Sequence, residues 1–403
     1  MNAYIVDGVR TPVGNFGGTL APIRTDDLAA IPIKALMGRF PNVDPASISD
    51  VLLGCANQAG EDNRNVARMA SLLAGLPTSV PGETINRLCA SGMAAGAHAS
   101  RMLHMGDGDL AIVGGVEHMT RGPWVMSKAS KPFGRDSQLF DSSFGWRFIN
   151  PKLDAVYGTE GMGQTAENLV ALHKISRDDQ DAFAVWSHQK ASASRNFRQE
   201  EMIEVAIPRR KQEDLIFAED EFIRPNTSRE ALAKLRPAFK QEGGSVTAGN
   251  SSGLNDGACA MLYASESGLK SHGLTPLTEV ISMAVVGVEP RIMGIGPVNA
   301  SELALKRAGL RMTDMDLIEL NEAFAAQALS CTRSWGLEDN DARINPMGGA
   351  IAIGHPLGMT GARLLLSASK QLVRSGKKYA LVTLCIGVGQ GYATILKNVQ
   401  PRN

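Results

Sequence analysis

Short apolar runs alternate along this chain with alanine-rich stretches of helical character. Asp109-Leu-Ala-Ile-Val-Gly-Gly115 and Tyr379-Ala-Leu-Val-Thr-Leu384 are continuously apolar or small, which predicts strands buried on both faces. Residues 94–103 and 361–373 lead into them and predict helices. Met1-Asn-Ala-Tyr-Ile-Val-Asp-Gly8 reads as an opening strand and turn. Alternation of this kind over the whole length predicts an α/β architecture.

The pattern also repeats. Asp50-Val-Leu-Leu is echoed by Asp316-Leu-Ile-Glu, and Ile85-Asn86 by Ile344-Asn345. Gly92-Met93 with Gly96-Ala97 is echoed by Gly358-Met359 with Gly361-Ala362, and each set runs through a helix into an Ala-Ile-Val or Ala-Leu-Val strand. Internal duplication of one α/β unit is the economical explanation. Residues 1–121 with 250–275 are expected to form the first half, and 276–403 the second. Between them, 122–249 breaks the pattern: Trp124, Phe144, Trp146 and Phe148 cluster near its start, and charged helical stretches follow. Ser176, followed by acidic residues, predicts an N-cap. This segment is expected to be a lid or substrate-binding insertion.

Composition removes several function classes. Over 403 residues, 41 Lys and Arg balance 41 Asp and Glu, so the positive excess that phosphate backbones attract is missing and nucleic acid is not an expected partner. No apolar run is long enough to cross a bilayer, and the opening strand leaves no room for a leader peptide. A cytoplasmic protein is expected. The five cysteines are widely spaced, without a Cys-x-x-Cys pair, which argues against zinc and a disulfide framework. Cys55, Cys259 and Cys331 read as buried small hydrophobes.

Cys89 and Cys385 read differently. Cys89 lies in Asn86-Arg-Leu-Cys-Ala-Ser-Gly92, ahead of an alanine-rich helix. A helix N-terminus favours a thiolate through its dipole and free N–H groups, and small neighbours let a carbonyl approach the backbone. His355 lies in Gly348-Gly-Ala-Ile-Ala-Ile-Gly-His-Pro-Leu-Gly358, where Pro356 and flanking glycines predict a rigid turn; it can serve as base to the thiol. Cys385 begins Cys-Ile-Gly-Val-Gly-Gln-Gly391 after a buried strand. With no Gly-Lys-Ser/Thr, a phosphate loop is a weak reading; a second thiol beside bare N–H groups, able to move a proton and hold an oxyanion, is the better one. Asn321, opening Asn321-Glu-Ala-Phe-Ala-Ala-Gln327 after a strand, is either a plain helix N-cap or a site residue at a strand's carboxyl end.

Five segments in order resemble the thiolases, enzymes that make or cleave 3-oxoacyl-CoA: the Cys89 loop, Ser245-Val-Thr-Ala-Gly-Asn-Ser-Ser-Gly253, Asn321-Glu-Ala-Phe324, Gly354-His-Pro356 and Cys385-Ile-Gly-Val-Gly389. The resemblance runs from Val6 to Gly391. It implies a duplicated five-layer α/β/α/β/α fold and a homodimer or homotetramer. Coenzyme A would be a substrate, with no permanently bound cofactor or metal. Cys89 would carry the acyl group, His355 would activate it, and Cys385 would handle the α-proton of acetyl-CoA. His355 with a water on Asn321 would form one oxyanion hole, and the N–H groups of Cys89 and Gly387 the other. Ser252, Met162, Met293, Phe239 and Phe324 would line the pantetheine tunnel, and Arg224 would lie near the CoA nucleotide.

Two departures bear on the substrate. Ala90 replaces the glycine usual after the nucleophile, a tolerable change. Gly161 stands where short-chain acetoacetyl-CoA thiolases often carry a histidine, which counts against that specificity. Phe140-Asp-Ser-Ser-Phe-Gly-Trp-Arg-Phe-Ile-Asn-Pro151 and Gly54-Cys-Ala-Asn-Gln-Ala-Gly-Glu-Asp-Asn-Arg-Asn65 resemble thiolases that cleave 3-oxoadipyl-CoA to succinyl-CoA and acetyl-CoA in aromatic-compound breakdown. There Arg147 would either bind the substrate's terminal carboxylate or make a structural ion pair. The alternatives are an acetoacetyl-CoA or general fatty 3-ketoacyl-CoA thiolase, a ketoacyl synthase, against which Cys385 speaks, and a non-catalytic CoA or lipid carrier, against which the intact Cys89, His355, Cys385 and Asn321 speak.

Overall fold

The computed structural model describes residues 2–400, and two versions of one α/β unit form its centre. In the first, Gly82–Ile85, Asp50–Gly54 and Leu110–His118 run parallel, and Asn255–Ser265 and Ala3–Arg10 follow antiparallel. In the second, Leu317–Leu320 runs parallel to Tyr379–Ile386, followed by antiparallel Gln390–Asn398 and Thr278–Gly287. A single parallel bridge, Ile318 with Ile344, takes the place that Gly82–Ile85 holds in the first. The echoed sequences therefore occupy equivalent positions. The units join where Ala3–Ile5 pairs with Thr278–Val280, giving one continuous path of strands.

Strand alternation divides the core into layers. From Leu110–His118, Leu110, Ile112 and Val116 face the cluster built on helices Thr25–Arg39 and Val66–Leu73. Ala111 and Val113 face the opposite cluster, built on Ser91–Met105 and Leu357–Ser375. From Tyr379–Ile386, Ala380, Val382 and Leu384 point into that same central cluster. Leu381 points outward to Gly296–Ala308 and Ala325–Ser334. The result is the expected α/β/α/β/α order. The central helices begin earlier than sequence periodicity places them, at Ser91 and Leu357, because their first turns are glycine-rich and carry little periodic signal. A Cβ on Gly92 would lie 2.6 Å from the Gly358 carbonyl oxygen, so the two helix starts meet backbone to backbone.

Ser176 caps Arg177–Ala193 through a capping box with Asp179, as expected. Within 122–249 there are two small hairpins, Trp124–Met126 with Leu139–Asp141 and Val205–Ile207 with Leu215–Phe217. The segment is anchored in the core by charge: Arg10 pairs with Glu201 and Asp220, both at 2.7 Å, and Arg198 with Asp220 at 3.1 Å. All four side chains are buried.

Candidate active site

Cys89 sits in the tight turn Leu88–Ala90, immediately before the helix Ser91–Met105. Side chains of its own motif hold that turn. Asn86 Oδ1 accepts from the Leu88 N–H at 2.9 Å; Ser91 Oγ accepts from the Arg87 N–H at 2.9 Å and donates to the Leu88 carbonyl at 2.6 Å. These bonds keep Leu88 at φ 48°, a conformation costly for a branched residue. The N–H groups of Gly387 and Cys89 face the sulfur and favour its ionised form. Burial outweighs them and pushes the thiol up to about 11, and the charge of Glu117 acts in the same direction. The thiolate expected at this helix start is therefore not the resting form: desolvation exceeds the dipole.

Gly387 belongs to the hairpin turn joining Tyr379–Ile386 to Gln390–Asn398. The glycine-rich run is thus a strand-to-strand reversal and not a phosphate loop. Val388 takes φ 64° in it, an outlier for a β-branched residue. Cys385, fully buried near the strand end, has its thiol pushed well above the ordinary range by burial, reinforced by Cys89 and Cys331. The two candidate thiols are brought together, and the turn after one supplies an N–H to the other.

His355 lies between Ala350–Ile353 and Leu357–Ser375. Its N–H donates to Asn255 Oδ1 at 2.9 Å, and its Nδ1 is 2.7 Å from Thr360 Oγ1. The Thr360 hydroxyl spends its one proton on the Pro356 carbonyl at 2.7 Å, so it accepts from Nδ1–H and leaves Nε2 with its lone pair. Burial, with Arg363 adding to it, lowers the imidazole to about 3. Nε2 lies 3.3 Å from Asn321 Nδ2, and Asn321 Oδ1 is buried without a hydrogen-bond partner among the described residues. Asn321 does not cap a helix: the helix begins at Ala325. The four residues from Asn321 to Phe324 turn first, and that frees the carboxamide.

Family models for the thiolase N-terminal domain and C-terminal domain match residues 3–267 and 274–398. This chain belongs to the thiolase family. It is 54% identical over 399 residues to the 3-oxoadipyl-CoA/3-oxo-5,6-dehydrosuberyl-CoA thiolase of Escherichia coli strain K12, covering 98% of this chain and 99% of that one. A beta-ketoadipyl-CoA thiolase of Acinetobacter baylyi is also 54% identical, over 400 residues, covering 99% and 100%. Among solved structures, the Bacillus anthracis acetyl-CoA acetyltransferase superposes with a TM-score of 0.91 at 35% identity, covering 99% of each chain.

Most of the residues expected along a pantetheine tunnel lie near one another. Met293 and Phe324 share a buried cluster with Cys385, and Met162 packs on it. Met162 Sδ is 3.7 Å from where a Gly387 Cβ would stand. Phe239 meets Phe324 edge to face at 6.0 Å between centroids, and the Ser252 N–H donates to the Ala323 carbonyl at 3.0 Å. Arg224 is exposed, its guanidinium 5.6 Å over the Phe222 ring, and its backbone N–H donates to His188 Nδ1. Arg147 donates to the Ser142 carbonyl at 3.0 Å and has no carboxylate partner among the described residues. A side chain at Gly161 would enter open space. No helix among the described residues is long and apolar enough to cross a membrane.

Sequence reading missed the supports. Thr360, Asn255 and Glu117 carry no motif of their own, although a glutamate next to the end of an apolar strand is itself a signal. Glu322, beside Asn321, is buried and accepts from Ser187 Oγ at 2.6 Å, Asn345 Nδ2 at 2.7 Å and the Ile351 N–H at 3.2 Å. These bonds tie the Asn321 turn to the segment before His355.

Proposed function

We propose that this thiolase cleaves 3-oxoadipyl-CoA with coenzyme A to succinyl-CoA and acetyl-CoA through an acyl-Cys89 intermediate. One observation carries the chemistry: a sulfur facing the Gly387 N–H lies beside a second buried thiol, and a neutral imidazole presents an unprotonated Nε2 to Asn321 Nδ2. In the first half-reaction the Cys89 sulfur attacks the 3-oxo carbon as its proton passes to His355. The C2–C3 bond then breaks, and Cys385 gives its proton to the departing acetyl-CoA carbanion. In the second, the CoA thiol attacks the Cys89 thioester and yields its proton to Cys385. The Cys89 thiolate leaves and recovers its proton from His355, so the enzyme ends as it began. Oxyanions would be held by the Cys89 and Gly387 N–H groups in one half-reaction and by His355 with a water on Asn321 in the other.

Coenzyme A is then a substrate, and no permanently bound cofactor is invoked. Met162, Met293, Phe239, Phe324 and Ser252 would line the pantetheine path, with Arg224 at its nucleotide end. Residues 1–121 with 250–275 would act as the Cys89 half, 122–249 as the substrate-binding insertion and 276–403 as the half carrying Asn321, His355 and Cys385. A homodimer or homotetramer is the assembly proposed.

The dicarboxylate assignment is supported by the names of relatives at 54% identity and by a half-buried Arg147 without a carboxylate partner. Thiolysis rates across 3-oxoadipyl-CoA, acetoacetyl-CoA and longer 3-oxoacyl-CoA test it. A preference for 3-oxoadipyl-CoA is expected, and a preference for long unbranched chains would overturn it.

A further inference from the structure

Glu117 is the penultimate residue of the buried strand Leu110–His118 and is 3% exposed. Among the described residues no ion pair reaches its carboxylate; Asp62 acts on it, and Cys55 and Cys89 feel its charge. It accepts three backbone N–H groups instead. Oε2 takes Ala56 at 3.0 Å and Gly358 at 2.8 Å, and Oε1 takes Asn57 at 3.0 Å. Ala56 and Asn57 follow the strand Asp50–Gly54 in the first unit, and Asn86 Nδ2, in the Cys89 motif, donates to the Ala56 carbonyl at 3.0 Å. Gly358 is in the first turn of the helix that begins two residues after His355. One side chain therefore joins the start of the His355 helix to the loop after Asp50–Gly54, which Asn86 of the Cys89 motif also grips.

Burying a carboxylate without a counter-ion is expensive, and burial raises this one to about 7. A fold that needed only to fill this space would do so with an apolar residue. The three N–H groups would otherwise be unpaired where the backbones of the two units touch. A Cβ on Gly115 would stand 2.0 Å from the Gly358 carbonyl oxygen, and one on Gly358 2.3 Å from the Val116 carbonyl oxygen.

We propose that Glu117 is a positioning residue for the reaction: it holds the His355 helix start in register with the Cys89 loop. This rests on the acyl-transfer roles given above to Cys89 and His355, but not on the identity of the acyl chain. Two variants separate its parts. Glu117→Gln can keep the Gly358 bond and sets an amide against one N–H, whereas Glu117→Ala abandons all three. Purified thiolase is compared using acetoacetyl-CoA and 3-oxoadipyl-CoA, with kcat expressed per folded enzyme from circular dichroism. Deuterium exchange is followed over residues 354–358.

The expected result is a kcat lowered about tenfold in Glu117→Gln and about 100-fold or more in Glu117→Ala, the range of displaced catalytic groups. The KM for CoA should stay within about twofold of wild type, and exchange over 354–358 should rise as kcat falls. If Glu117→Ala does not fold, Glu117→Gln decides alone. A kcat per folded molecule within twofold of wild type, or a fall in kcat with unchanged exchange over 354–358, overturns the proposal. If Cys89→Ala and His355→Ala also retained full turnover, the acyl-transfer roles themselves would fail, a result distinct from failure at Glu117.

Discussion

The resting state of Cys89, the proposed nucleophile, is open to direct measurement. With its pKa at about 11, raised from an ordinary 9.0, the Cys89 thiol is ionised at pH 7.5 to roughly 3 parts in 10,000, against roughly 3% for an unperturbed thiol. That is about a 100-fold loss of thiolate. The more basic thiolate is the stronger nucleophile, with a Brønsted slope near 0.45, and recovers about eightfold of that loss. Iodoacetamide should therefore alkylate Cys89 about tenfold more slowly than it does a free thiol at the same pH. The rate should climb about tenfold per unit between pH 7 and 10, because the thiolate is lost below its raised pKa and gained only on approaching it. His355, lowered to about 3, is neutral across this range and contributes no inflection. Mass spectrometry of the Cys89 peptide after timed alkylation reads the rate, and acetyl-CoA should protect. His355→Ala should leave the slope intact while cutting acyl transfer by about 10²–10⁴, the usual share of a general base. A rate flat from pH 6 to 9 would mean a resident thiolate–imidazolium pair, and the burial argument would be wrong.

Four further outcomes follow from the geometry. Arg147→Ala should raise the KM for 3-oxoadipyl-CoA by about 10–100-fold, the loss of a hydrogen-bonded charge, and leave that for acetoacetyl-CoA unchanged; equal rises would remove Arg147 from carboxylate binding. Asn321→Ala should lower kcat by about 10²–10³ with little change in the urea midpoint, as single-turnover assays would record. Asp220→Ala strips Arg198 of its carboxylate and leaves Arg10 with Glu201 alone, and should cost about 3–5 kcal/mol in urea unfolding; a loss below about 1 kcal/mol would deny the cluster its anchoring role. Gly92→Ala places a methyl against the Gly358 carbonyl and should either prevent folding or suppress turnover far more than it alters CoA binding by calorimetry.

Much of the site was legible because the chain spends rare residues there. Small residues around Cys89, Gly-His-Pro and the Cys385 run signal backbone approaching backbone, and Gly92 and Gly358 do meet that way. The duplication was legible too, since equivalent strands need the same buried pattern. Asn321 was legible only as a choice between cap and site residue. The choice turns on where the next helix begins, and intrinsic propensity does not locate that within four residues.

By itself the sequence determined the α/β architecture, the echo of two equivalent units, and two thiols and an imidazole among small residues as the candidate chemistry. These are matters of local pattern: apolar runs long enough for strands, and glycines where no side chain fits. Only the tertiary structure decided the protonation states and the supports. Whether Cys89 rests as thiol or thiolate depends on how much surrounding protein removes its water, set against two N–H groups from segments about 300 residues apart. That Nε2 of His355 is the bare nitrogen follows from a threonine hydroxyl already committed to a carbonyl. Glu117, unremarked in the linear pattern, takes its meaning from three N–H groups that chain folding gathers around it, two from the first unit and one from the second.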